Sequence, residues 1–146
     1  MDKIVVLDFG SQYSHLICRR IRDFSVYAEL LPFDTSLDEI NKLNPKGIIF
    51  SGGPSSVYDS GAPVPDEKIF QLQVPILGIC YGHQIIVNNF GGKIKQANKE
   101  YGSSVLTIDN NSDILNGVGD SIRAWMSHGD EAENVPDGFE IIGHTE

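Results

Sequence analysis

Positive charge is scarce in this sequence. Eleven Lys and Arg stand against twenty Asp and Glu, a formal charge of −9. A nucleic-acid surface needs basic residues clustered on one face, so no nucleic-acid partner is expected. The one dense basic spot, Arg19-Arg20-Ile21-Arg22, falls on a predicted solvated helix face. Long apolar runs are also missing. Nothing approaches the ~20 residues that cross a bilayer, and the N-terminus has neither the basic start nor the cleavage site of a signal peptide. No membrane partner and a cytoplasmic location follow as expectations. Cysteine is nearly absent: Cys18 and Cys80 allow one bridge at most, and both sit in apolar segments, which favours reduced thiols. No Cys/His cluster has zinc spacing and no Walker-type loop occurs, so neither a metal nor a phosphate cofactor is expected in this domain.

What remains is an ordinary globular composition. The 146 residues are 40% apolar and 21% charged, enough for one domain with a proper core. No linker, repeat or low-complexity tract divides residues 1–146, so a single domain is expected.

Lys3 to Phe9 is a continuous apolar run, as in a strand buried on both faces. Gly10-Ser11 breaks it. From Gln12 to Asp23 the apolar residues Tyr13, Leu16, Ile17 and Ile21 recur at helical spacing, with Cys18 on the buried side and His15 on the surface. Val26 to Phe33 reads as a second strand. Ser36 and Glu39 have capping-box spacing and start a short helix. Gly47 to Ser51 is a third strand ending in Gly52-Gly53-Pro54, and residues 55–65 form a loop. Asp66 to Leu72 reads as a short helix, Val74 to Ile79 as a fourth strand, and Tyr81 to Phe90 as the helix after it. The alternation predicts a doubly wound, mostly parallel α/β sheet with helices on both faces. Three further strands, Ser103 to Ile108, Ser121 to Met126 and Phe139 to Gly143, follow in the C-terminal half. Trp125 and the phenylalanines read as core or interface.

In open α/β sheets, ligands collect at the carboxyl ends of the strands. Three Gly-containing turns fall there, and one of them, Gly78-Ile79-Cys80-Tyr81-Gly82, is a cysteine version of the G-x-S-x-G nucleophile elbow. A nucleophile on such a turn stands exposed above the sheet, and small neighbours relieve the crowding. The helix that starts at once aims its N–H groups and positive dipole end at the sulfur, which is expected to lower the thiol's pKa. The Tyr81 N–H would face a developing oxyanion. A second N–H would come from Gly53, whose missing side chain lets a substrate approach the backbone. The competing reading is a buried structural cysteine beside incidental glycines.

The motifs resemble those of the class I (triad) glutamine amidotransferases, across the whole chain and in order. They are Asp8-Phe9-Gly10-Ser11-Gln12-Tyr13, Ser51-Gly52-Gly53-Pro54-Ser55-Ser56-Val57-Tyr58, Gly78-Ile79-Cys80-Tyr81-Gly82-His83-Gln84, Lys99-Glu100-Tyr101-Gly102 and Trp125-Met126-Ser127-His128-Gly129-Asp130. The first, fourth and fifth are similar to the branch whose ammonia aminates xanthosine monophosphate. The resemblance implies a flavodoxin-like sheet and a glutaminase. Cys80 would be the nucleophile, Gly53 and Tyr81 the oxyanion donors, and Gly52, Gln84, Ser127, Gly129 and Asp130 the holders of glutamine. It implies a partner module, an ATP-pyrophosphatase that uses ATP and Mg to activate and aminate xanthosine monophosphate, either fused or as a separate subunit.

One motif of that family is not found in these residues. Its cysteine is activated by a histidine and a glutamate in a His-Pro-Glu, and no His-Pro-Glu occurs here. Gly143-His144-Thr145-Glu146 has His-x-Glu spacing, but Phe139 to His144 is similar to a strand that comes before the triad motif. His144 is therefore not expected to be the base, and the domain is expected to lack its C-terminal part. His83 is expected to pack and His128 to order the substrate loop. The alternatives are a catalytically incomplete regulatory or interaction domain on the same fold, an amidotransferase subunit of another pathway, and another cysteine hydrolase or thiol sensor.

Overall fold

The computed structural model describes residues 1–145, with backbone alone for residues 97–100. Its contacts group into two compact units, Met1–Asn88 and Asn89–Glu146, where the sequence showed no linker.

The first unit holds strands β1 (Lys3–Asp8), β2 (Tyr27–Pro32), β3 (Gly47–Phe50) and β4 (Ile76–Gly78), and helices α1 (Ser14–Asp23), α2 (Leu37–Leu43) and α3 (Tyr81–Asn89). The strands form one parallel sheet in the order β2-β1-β3-β4. Side chains alternate across it, as strand geometry requires. Val5 and Leu7 of β1 pack on one face with Ile48 and Phe50 of β3, Ile40 of α2 and Ile85 of α3. Val6 packs on the other with Ala28 of β2 and Cys18 of α1. Helices thus cover both faces, and each fully buried Leu, Ile or Phe contributes roughly 1.5–3 kcal/mol.

Local chemistry sets the element ends. Ser36 caps α2 by accepting the Glu39 N–H at 3.3 Å, as its spacing predicted. Asn44 closes the helix in the left-handed region. The expected helix from Asp66 is a short 3-10 segment, Glu67–Gln71. Asp66 accepts the Lys68 N–H at 3.0 Å and the Leu37 N–H at 3.2 Å, and so joins that segment to the start of α2. Helix α1 buries Cys18 and partly buries Ile17 and Ile21, while Tyr13 and Leu16 stay largely exposed. Arg22 is exposed, as read from sequence, and it also anchors α1 to β2 by donating to the Ala28 carbonyl from Nη2 (2.6 Å) and Nε (3.1 Å).

The second unit is a three-stranded antiparallel sheet, β6-β5-β7, made of β5 (Ile94–Ile108), β6 (Ser121–Ala132) and β7 (Gly143–His144). Strands β5 and β6 run well beyond their predicted ends. Lys, Asn, Gly and Asp are poor strand formers and concealed the extension, which cross-strand pairs such as Lys95–Glu131 (3.3 Å) support. The predicted strand from Phe139 contracts to Gly143–His144, because Phe139 sits on a turn, its N–H bonded to the Pro136 carbonyl, with its ring against Phe90. Trp125 is 74% exposed rather than core. Among the described residues, no helix is long and apolar enough to cross a membrane.

Candidate active site

In the first unit, β1 pairs with β2 on one side and β3 on the other. The chain reverses direction across the sheet there, which is where open α/β sheets bind ligands. Gly10, at φ +97°, turns the chain after β1. A methyl group on it would lie 3.3 Å from Cδ of Pro54, which follows β3, so the two turns abut.

Cys80 occupies the step from β4 to α3 at φ +50°. This left-handed conformation costs a non-glycine residue about 1–3 kcal/mol and persists only where the surroundings over-determine it. Here they do. The Ile79 N–H donates to the Phe50 carbonyl at 3.0 Å, the Gly82 N–H to the Ile79 carbonyl at 2.9 Å, and the Gln84 N–H to the Cys80 carbonyl at 3.1 Å. The flanking glycines have steric roles. A methyl group on Gly78 would sit 2.6 Å from the His83 nitrogen, and one on Gly82 would sit 2.5 Å from the Phe50 carbonyl oxygen. One glycine lets the elbow fold onto its own helix; the other lets that helix meet β3.

The Gly-Gly loop after β3 lies beside the elbow. A methyl group on Gly52 would stand 3.3 Å from Cys80 Cβ, and one on Gly53 would collide with the Phe9 carbonyl. Gly53 is therefore glycine because its backbone presses on the end of β1, a reason its place in the sequence did not suggest. Ser51 is fully buried; its hydroxyl accepts the Phe9 N–H and donates to the Gly52 carbonyl, both at 2.9 Å. Tyr81 is buried with its ring 5.8 Å from that of Phe9, and its hydroxyl donates to the Pro63 carbonyl at 2.6 Å. Gln84 is 6% exposed, one turn beyond Cys80, whereas His83 points to the exposed side of α3.

The electrostatics of Cys80 differ from expectation. Its sulfur environment is half-buried, and burial pushes the thiol above its ordinary value of 9.0. Desolvation favours the neutral form, so attack by this sulfur would call for a base. Cys18 is also pushed up by burial, partly offset by Arg22.

The first unit therefore brings Cys80, Gly52, Gly53, Tyr81 and Gln84 to neighbouring strand ends. Ser127, Gly129 and Asp130 lie on β6 in the second unit, in strand rather than loop. There His128 Nδ1 is 3.0 Å from the Asp130 carbonyl oxygen. Lys99 and Glu100 of the fourth motif lie where side chains are not described, and Glu146 lies outside the described residues. His144 is in β7 with Nδ1 2.7 Å from Asp109 Oδ2. A cavity of about 630 Å³ lies at the carboxyl ends of β1 and β2, lined by residues including Asp8, Phe9, Phe33 and Pro63 but not Cys80. No feature of the sequence pointed to it, and little pointed to Ser51. A serine directly before a glycine pair at a strand end was the one available signal.

A doubly wound parallel sheet with a cysteine elbow after one strand and a Gly-Gly loop after its neighbour defines an α/β protein with a cysteine at a strand-to-helix turn. The family model for glutamine amidotransferase class-I matches residues 5–146, and the chain belongs to that family. It is 56% identical over 146 residues to a GMP synthase [glutamine-hydrolyzing] of Lactobacillus acidophilus, covering 99% of this chain and 28% of that protein. It is 54% identical over 144 residues to the protein of the same name from Rippkaea orientalis, covering 98% and 27%. The chain thus spans about a quarter of the length of these relatives. The solved structure of a protein described as a GMP synthase subunit, from Thermoplasma acidophilum, superposes with a TM-score of 0.86 at 30% identity, over 99% of this chain and 73% of that one. A glutamine amidotransferase from Thermotoga maritima shares the fold, at TM-score 0.75 and 16% identity over 97% and 66%.

Proposed function

We propose that this chain is the glutaminase part of a GMP synthase. One observation carries the reading: Cys80 is held at positive φ on the β4–α3 elbow, beside the Gly-Gly loop. Its sulfur attacks the side-chain carbonyl carbon of glutamine. The Gly53 and Tyr81 N–H groups stabilise the oxyanion, and Gly52 and Gln84 hold the substrate. The C–N bond breaks and ammonia leaves with a proton delivered by a general acid. Water then hydrolyses the glutamyl thioester, giving glutamate and the free thiol. The raised thiol pKa requires a base, which the family's His-Pro-Glu would supply. Ammonia passes to an ATP-pyrophosphatase module that uses ATP and Mg to convert xanthosine monophosphate to GMP, in the cytoplasm. The 50–56% identity to proteins named GMP synthase supports that assignment.

Glutamate release from glutamine by the natural full-length protein tests the reading. Cys80→Ala should abolish it while leaving ammonia-dependent GMP formation intact. Glutamine turnover surviving that substitution would refute the assignment.

A further inference from the structure

We propose that Ser51 is a positioning residue that sets the direction of the Gly53 N–H, an inference that rests on the glutaminase reading above. Ser51 directly follows β3 and is fully buried. Its oxygen accepts the Phe9 N–H at 2.9 Å, and its single proton goes to the Gly52 carbonyl, also at 2.9 Å. With the acceptor side engaged by Phe9, the hydroxyl rotor is fixed on Gly52.

The Gly52 carbonyl and the Gly53 N–H belong to one trans peptide plane and point in opposite directions. Pinning the carbonyl toward the buried hydroxyl therefore turns the N–H away from it. Without that pin, the peptide between two glycines would be among the softest in the unit, since glycine permits φ of either sign. A stiffer residue is excluded at Gly53 and crowded at Gly52. A side chain at Gly53 collides with the Phe9 carbonyl, and one at Gly52 crowds Cys80 Cβ at 3.3 Å. A hydrogen bond from a buried neighbour is the remaining means of fixing the plane. An oxyanion donor is effective only if it is aimed before charge develops, and Ser51 provides the aim without touching substrate.

The test compares wild type, Ser51→Ala and Cys80→Ala in the natural full-length protein. For Ser51→Ala, kcat for glutamine hydrolysis should fall about 10–100-fold, somewhat less than the loss of a whole oxyanion donor, with KM nearly unchanged. Alkylation of Cys80 by iodoacetamide, a displacement that creates no oxyanion, should keep its wild-type rate. Unchanged kcat in folded Ser51→Ala would overturn the inference. So would a parallel fall in kcat and alkylation with a rising KM, the pattern of a generally disordered site. Should Ser51→Ala not fold, Ser51→Cys, similar in size but a weak donor, carries the same comparison. Failure of both to fold would make Ser51 structural and also overturn the inference. An active Cys80→Ala would remove the glutaminase reading and this inference with it. A dead Cys80→Ala beside a wild-type Ser51→Ala would remove the inference alone.

Discussion

Gly82 meets Phe50 backbone to backbone: a methyl group on Gly82 would lie 2.5 Å from the Phe50 carbonyl oxygen and 2.6 Å from its Cβ. The first turn of α3 thus rests on the end of β3, and the elbow bearing Cys80 is fixed by that contact. No rotamer change can relieve a clash with backbone. Gly82→Ala should therefore cost at least roughly 1–3 kcal/mol of stability and displace Cys80. Gly61, at φ +75° with nothing within 4 Å, is the control, and its Ala variant should cost only about 1 kcal/mol of backbone strain. Chemical denaturation of the two variants checks this; equal losses would show that α3 can slide on β3.

The two cysteines should separate by reactivity. Cys18 is 3% exposed in the α1 packing, whereas Cys80 stands at the elbow. A glutamine analogue carrying a leaving group should label Cys80 and spare Cys18, as read by peptide mass mapping. The pH dependence follows from burial. Desolvation raises the thiol pKa of Cys80 above its ordinary 9.0, so the neutral thiol dominates at neutral pH. For residues 1–146 alone, iodoacetamide labelling should keep rising with pH past that value. A plateau near neutrality would mean that the helix start outweighs burial.

That outcome also marks where the sequence was legible. The elbow could be read because glycine on both sides of a strand-to-helix turn is seldom incidental, and each of the two has a steric partner in the fold. The parallel sheet could be read because its central strands, β1 and β3, are built on continuous apolar runs. The environment of the sulfur could not, since burial is set by β3 and α3 jointly and neither announces it. The same holds for Ser51, which accepts a hydrogen bond from Phe9 at the end of β1, 42 residues away. In the second unit, β5 and β6 owe their length to pairing with each other, and residues such as Lys95 and Gly102 give no local sign of it.

Acid should loosen the junction between α2 and the 3-10 segment. The Asp66 carboxylate accepts N–H bonds from Lys68 and Leu37, which hold its pKa below the ordinary 3.8. A carboxyl depressed in the folded state stabilises the fold at pH values above its unfolded pKa. That contribution is lost as pH falls through the lower folded value. Asp66→Asn should therefore lower Tm at pH 7, and the gap to wild type should narrow as pH drops below about 3.8. Thermal melts at stepped pH check this; a gap that stays constant into acid would show that the charge of Asp66 is irrelevant.

His144 invites assignment as the base, because its Nδ1 is 2.7 Å from a carboxylate oxygen of Asp109, as in the orienting half of a triad. The surroundings argue otherwise. The two side chains are 54% and 37% exposed, and an exposed ion pair is worth about 0–1 kcal/mol, too little to hold an imidazole against solvent. His144 also pairs with Thr107 across β5 and β7, in register with Gly143 and Ile108, so the Asp109 contact closes the end of a sheet. His144→Ala in the natural full-length protein should leave glutaminase kcat within about twofold, and a modest fall in Tm would report the lost pair. Loss of a true general base typically costs ~10²–10⁴-fold, so the two outcomes are far apart. A drop of that size, with a matching loss in Asp109→Asn, would make this pair the catalytic base and its orienter.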